Sequence, residues 1–339
     1  MDIQTGVPFS TLTTMRLGGP ARFYTEAPTI QALVDLYRNA ARLQQRVLMI
    51  GGGSNLIVHD EGFDGLVIKN TILGFDVIDD NDESTTIRIG AGELWDSVVA
   101  RSVEMNLSGI EALANIPGTA GAAPVQNIGA YGQELADTLV SVDAYDTQTD
   151  TLVQLRWEDC GFSYRHSIFR GASQGRYAIT AITLKLYKRN PTPPFYASLQ
   201  AYLDKNDITE FTPLIIRQAI IDIRTDTLPD PTVLPNSGSF FKNVIIDNWQ
   251  AKPIVETYPD VPIYEMDGDK SKIATGWLIE SVDLKGELLH GIRVHPGNAL
   301  VLINESASGY TDLAAAREAI ITAVRDKFQI TIEQEPLEL

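Results

Sequence analysis

The chain of 339 residues holds a single cysteine, Cys160, so no disulfide can close within it and a reducing compartment is expected. Positive charge is scarce as well. Lys and Arg total 27 against 44 Asp and Glu, a formal net charge of −17, which argues against nonspecific binding to nucleic acid or anionic membranes. It does not exclude a small anionic ligand, which meets local arginines and backbone N–H groups, not the global sum. Histidines number four, and none pair at metal-ligand spacing; His290 and His295, beside Pro296, read as loop residues, and no metal is expected. No apolar run approaches a membrane span, and the N-terminus has no signal-peptide pattern. A cytoplasmic protein without nucleic-acid or membrane partners is expected.

Familiar nucleotide and hydrolase signatures are missing too. Gly51-Gly52-Gly53 is followed by Leu56 where a Rossmann fingerprint needs glycine, and Gly90-Ala91-Gly92 meets Trp95 instead. No Gly-Lys-Ser/Thr follows either run, so there is no Walker A loop. Ser239 has glycine on one side only, so it is no G-x-S-x-G nucleophile.

What the chain does contain is two backbone cradles. Gly51-Gly52-Gly53-Ser54-Asn55 follows the apolar run Val47–Ile50. Taken alone, it reads first as an ordinary turn or bulge. The 17 residues from Ile116 to Gly132 carry almost no bulky side chain, which suits neither a core nor a solvated loop. Close approach of main-chain N–H groups to a large ligand explains them better. A third segment, Pro235–Asn243, sets Ser239 in a Gly/Ser turn ahead of Phe240 and Phe241. It reads either as a turn into a strand or as a serine handing over one proton in a dry site.

Periodicity predicts a helix over 29–44, with Ile30, Leu33, Val34, Tyr37, Ala40 and Ala41 on one face. A second is expected over 94–105 on Leu94, Trp95, Val98, Val99 and Val103, and another over 213–224. A strongly amphipathic one is expected over 312–327 on Leu313, Ala316, Ile320, Val324 and Phe328, with Thr311 as N-cap. Strands are expected at 47–50, 56–58, 66–68, 139–145, 152–156 and 178–187, with a terminal strand over 329–333. Asn190–Pro194 breaks regular structure, and Leu228–Pro231 marks a domain boundary. The pattern is α+β, without regular β-α-β alternation.

In chain order, Gly51–Asn55, Ile116–Gly132, Phe162-Ser-Tyr-Arg-His-Ser-Ile-Phe169, Leu228-Pro-Asp-Pro231 and Gly238-Ser-Phe-Phe-Lys-Asn243 together resemble the UDP-N-acetylenolpyruvoylglucosamine reductases, also called UDP-N-acetylmuramate dehydrogenases. The likeness runs from about Thr11 to Glu335 and points to the longer subtype with a tyrosine-bearing loop. It implies a two-subdomain FAD-binding portion of the vanillyl-alcohol-oxidase (PCMH) type and a C-terminal α+β substrate-binding domain. The expected divisions are 1–71 (completed by 329–339), 72–227 and 228–328. It also implies FAD, NADPH as hydride donor, and UDP-N-acetylglucosamine enolpyruvate as the substrate reduced to UDP-N-acetylmuramate in peptidoglycan synthesis. Hydride passes from NADPH to flavin N5 and on to the enolpyruvyl CH2 carbon, and a proton goes to the adjacent carbon.

Residue by residue, the resemblance assigns FAD contacts to Gly51, Gly52, Gly53, Ser54, Asn55 and Leu56. It adds Pro117, Gly118, Thr119, Gly121, Ala122, Ala123, Asn127, Ile128, Gly129, Tyr131 and Ile179. Arg165 matches the carboxylate-binding arginine, whose planar fork suits that group. Ser239 matches the proton donor, and Glu335 the glutamate that helps Arg165 stabilise the enol. Tyr196 matches the loop tyrosine that covers the substrate, and Asn243 a diphosphate contact. Arg224 and Lys285 fall where the family carries basic groups. Outside the motifs, Arg165 would read as a surface ion pair, Tyr196 as an aromatic staple, and Glu335, near Glu333 and Glu338, as part of a solvated acidic tail.

Two positions depart from the family. Thr227 stands where a lysine often meets the diphosphate, with Arg217, Arg224 and Lys242 as candidate substitutes. Pro336 follows Glu335 directly, so the last strand is expected to end at Glu335. A catalytically impaired flavin or UDP-sugar binder and an FAD-dependent alcohol oxidase of the same fold are the competing readings.

Overall fold

The computed structural model describes residues 2–266 and 268–339. The chain divides into two units: Met1–Val7, Ala21–Gly53 and Phe63–Asp226 form the first, and Pro8–Pro20, Ser54–Gly62 and Thr227–Leu339 the second.

In the first unit, one sheet has the strand order Gln4–Pro8, Pro20–Ala27, Phe63–Asn70, Val47–Ile50. Its last three strands run parallel. The helix Ile30–Arg42 makes the crossover that parallel pairing requires. Thr29 caps it, its Oγ1 accepting from Ala32 N at 3.1 Å. Its buried face is Leu33, Val34, Leu36 and Ala40. Ala41, expected on that face, is exposed, because the stripe turns toward Leu36.

The second sheet is antiparallel, in the order Thr151–Arg156, Leu139–Asp146, Tyr177–Tyr187, Ser84–Gly90, Phe75–Asp80. The helix Trp95–Glu104 buries Trp95, Val98, Val99 and Val103 in the largest core. Leu94, placed on that face by periodicity, is the N-cap instead and is 62% exposed. The helix Pro213–Thr227 runs three residues past its expected end, so Arg224 sits in its last turn.

The second unit contains a four-stranded antiparallel sheet, Asn236–Ser239, Val301–Asn304, Ile292–Val294, Leu288–Leu289. A three-stranded one runs Val244–Asp247, Lys270–Ile273, Ile263–Met266. The helix Tyr310–Phe328 buries Leu313, Ala316, Ile320, Val324 and Phe328 as expected. Thr311 is not its cap. Gly309 is the N-cap, and the Asp60 carboxylate accepts from Tyr310 N at 2.6 Å and Thr311 N at 3.2 Å. A cap from 250 residues upstream leaves no local signal.

The chain end differs from expectation twice. Residues 329–333 form no strand. The terminal strand is Leu337–Glu338, parallel to Leu56–Ile57, and so lies beyond Pro336. Glu335 N donates to Phe240 O and Leu337 N to Asn55 O. The intervening position needs no donor, so proline is tolerated there.

Candidate active site

The two glycine segments of the first unit lie against each other. A Cβ on Gly51 would stand 2.4 Å from Thr119 Oγ1, and one on Gly52 would stand 3.2 Å from the Gly118 Cα. Gly53 has φ +65° and Gly118 φ +124°, and the second is a conformation open in practice only to glycine. Trp95 N donates to Gly118 O at 3.1 Å, which ties the cradle to the start of the Trp95–Glu104 helix. This close, side-chain-free backbone fits a large ligand with phosphates, as FAD is. Gly121 has a different reason: its Cβ would meet Ala91 at 2.5 Å. Ala123, Ile128 and Ile179 belong to the core, and the Ile179 carbonyl accepts from Asn70 Nδ2 at 2.8 Å. The Asn127 side chain is fully buried and spent internally, on Glu134 Oε2 at 2.7 Å and Ala136 N at 3.0 Å. It shapes the loop.

Arg165 sits in the two-residue turn between Ser163 and His166, at φ +53°. Its Nη2 donates to Gly129 O at 2.8 Å, and a Cβ on Gly129 would meet Nη1 at 3.1 Å. A Cβ there would also crowd Glu134 Cγ at 3.0 Å, so Gly129 leaves room for both the guanidinium and the Glu134 side chain. Arg224 Nε donates to Asn115 O at 3.2 Å, while Asp96 accepts from Asn115 N at 2.6 Å and from Arg217 Nη2 at 2.8 Å. Withdrawal from water pushes the Arg224 pKa down, against Tyr131 and Asp96, and the Arg165 charge adds to the lowering. The guanidinium stays charged. A strongly acidic chain thus gathers Arg165, Arg217 and Arg224 in one unit. Tyr131 and Tyr196 pack edge to face, centroids 6.1 Å apart, and both line a cavity of about 540 Å³ with Glu111, Gln133, Phe195 and Ile216.

In the second unit, Asn236 Nδ2 donates to Pro229 O and Leu234 O, and its Oδ1 accepts from Gly238 N at 2.8 Å. This locks the turn that carries Ser239. Across the sheet Asn236 faces Ile303 and Ser239 faces Val301, so the strand bulges by one residue. Phe240 and Phe241 are fully buried anchors. Residues 333–335 run beside 240–242: Lys242 N donates to Glu333 O at 2.9 Å and Glu335 N to Phe240 O at 2.7 Å. Glu335 is half-buried, so it is no part of a solvated tail. Asn243 Oδ1 accepts from Thr275 N at 3.1 Å. Lys285 Nζ pairs with Glu280 at 3.0 Å, and Lys242 Nζ lies 3.5 Å from Glu333.

Sequence reasoning missed the cluster that pins the chain end. Glu338 accepts from Arg317 and Tyr310, and also from His59 Nε2 at 3.0 Å and Gln334 Nε2 at 2.9 Å. Burial works to raise its pKa, but these partners win and hold it down at about 2. The partners come from three separate stretches, and only folding joins them.

The FAD binding domain family matches residues 21–156, which sets the class: a flavoprotein. The C-terminal domain of UDP-N-acetylenolpyruvoylglucosamine reductase matches residues 230–338. A UDP-N-acetylenolpyruvoylglucosamine reductase of Dechloromonas aromatica (strain RCB) is 35% identical over 340 residues, covering 99% of both chains. The enzyme of that name from Burkholderia ambifaria (strain MC40-6) is 37% identical, over 97% of this chain and 95% of the relative. The crystal structure of a UDP-N-acetylenolpyruvylglucosamine reductase from Thermus caldophilus superposes with a TM-score of 0.69 at 22% identity, covering 100% of this chain and 99% of that one, a likeness of fold. The chain belongs to the UDP-N-acetylenolpyruvoylglucosamine reductase family, and is an FAD-dependent oxidoreductase of the expected α+β fold. Among the described residues no helix is long and apolar enough to cross a membrane.

Proposed function

We propose that this chain reduces UDP-N-acetylglucosamine enolpyruvate to UDP-N-acetylmuramate in peptidoglycan synthesis, through the residues below. FAD, when bound, would supply the redox chemistry that links NADPH to the enolpyruvyl CH2 carbon. Gly51–Leu56 and Pro117–Tyr131 hold the cofactor by backbone approach. Arg165 clamps the substrate carboxylate, which stabilises the negative charge that develops next to the accepting carbon. Ser239 gives its hydroxyl proton to that adjacent carbon. Glu335 assists Arg165 at the enol. Arg224, Asn243 and Lys285 serve the phosphates, with Asn243 offering its amide donors while its carbonyl oxygen caps the segment at Thr275. Arg217 and Arg224 supply the cationic field that Thr227 does not. Tyr196 covers the substrate.

The observation that most supports this reading is the pairing of Glu335 with Phe240, which sets the glutamate beside the residue that follows Ser239. Two motifs nearly a hundred residues apart in sequence become neighbours in one unit. The test uses the yellow holoenzyme without air. NADPH should bleach the flavin, and the enolpyruvyl substrate should then restore its colour. Bleaching without recolouring would leave an impaired flavin binder. Bleaching by an alcohol in place of NADPH, with the colour restored by dioxygen, would point to an oxidase.

A further inference from the structure

One polar group beside Ser239 has no role in the reaction as outlined. Ser237 is 7% exposed, and its Oγ is buried with no hydrogen-bond partner among the described residues. A buried hydroxyl left this way costs stability, and an alanine of nearly the same shape would not. Local geometry is not at fault, since Asn236 fixes the turn with three hydrogen bonds. Gly238, the next residue, has φ +72° and nothing within 4 Å of where a Cβ would stand. Its glycine serves the backbone turn, and the space beside it is open. A buried unpartnered hydroxyl, an open glycine and the Ser239 hydroxyl thus follow one another in a single bulged strand.

We propose that Ser237 is a substrate-contacting hydroxyl, donating a hydrogen bond to the carboxylate of the unsaturated acid whose neighbouring carbon Ser239 protonates. The inference rests on the functional reading above and deepens it. Ser239 moves the proton; Ser237 holds the acid in register and keeps its own proton. The cost of its burial in the free protein is recovered on binding, because a hydroxyl bonded to a charged acceptor is worth more than one bonded to a neutral acceptor.

The test is Ser237→Ala in the oxidised FAD holoenzyme. Binding of UDP-N-acetylglucosamine enolpyruvate and of UDP-N-acetylglucosamine, which lacks the acid, is titrated by calorimetry, and Tm is read on the ligand-free protein. The expected result is about a tenfold loss of affinity for the enolpyruvate. Affinity for the sugar nucleotide alone, and the rate of flavin reduction by NADPH, should stay as in the wild type. Tm should hold or rise by a few degrees, since an unsatisfied group is gone. Unchanged affinity for the enolpyruvate overturns the inference, and so does a loss accompanied by a lower Tm, which would make Ser237 structural. If wild-type holoenzyme itself does not bind the enolpyruvate, the functional reading fails, and the inference with it.

Discussion

Glu335 and Phe240 are joined by a 2.7 Å hydrogen bond from the backbone N–H of the first to the carbonyl of the second. Because the main chain makes this contact, the bond itself does not involve the Glu335 side chain. The Glu335 side chain can be changed without releasing the segment that carries it.

Glu335→Gln and Ser239→Ala should therefore both fold and keep flavin. In stopped-flow experiments each should be reduced by NADPH at the wild-type rate. Reoxidation by the enolpyruvyl substrate should slow by roughly 10²-fold or more, the scale of general acid catalysis. If both half-reactions slow together in Ser239→Ala, the serine is structural.

Gly129→Ala puts a methyl group 3.1 Å from Arg165 Nη1. The guanidinium and Glu134 Cγ, 3.0 Å away, must shift slightly, so KM for the enolpyruvate should rise by about tenfold or less, with flavin content unchanged. The loss should follow the carboxylate: affinity for a sugar nucleotide without the acid should move little.

Gly51→Ala creates a 2.4 Å contact with Thr119 Oγ1 inside the glycine cradle. Flavin should be lost on gel filtration, with the absorbance ratio at 450 and 280 nm falling well below that of wild type, and far-ultraviolet dichroism should stay close to it. A fully yellow, stable Gly51→Ala protein would remove this contact from the cofactor site.

Glu338 connects the chain end to Arg317, Tyr310 and His59, and its pKa lies near 2 against an ordinary 4.5. A folded-state pKa below the unfolded one stabilises the protein above about pH 4.5 and loses that contribution as pH falls toward 2. Glu338→Gln should lower stability near pH 7 by about 1–3 kcal/mol. The gap in Tm between variant and wild type should narrow from pH 5 to pH 3. A gap that does not vary with pH would mean that the ion pair contributes nothing.

Burial, with Asp159 and Glu158 adding to it, pushes the Cys160 thiol up to about 12. At pH 8 the native protein should not react with a thiol reagent over an hour, and in denaturant it should take up one equivalent.

Amphipathic periodicity was legible where contacts are local. The helix at Tyr310–Phe328 buries all five residues expected from spacing alone. The glycine segments announced a ligand because a run of small residues has few other uses. Ala41 fell on the wrong side of its helix and Leu94 just outside the start of its own, since spacing alone fixes neither the rotation of a helix nor its first residue.

By itself, the order of residues determined the long amphipathic helices, the family and its flavin, because these rest on short-range spacing and on motifs that stay contiguous. Only the tertiary structure decided which residue caps the Tyr310–Phe328 helix, how the strand resumes past Pro336, and what holds Glu338. Each depends on groups tens to hundreds of residues apart meeting at hydrogen-bond distance. That proximity is created by burying a core, and no local pattern encodes it.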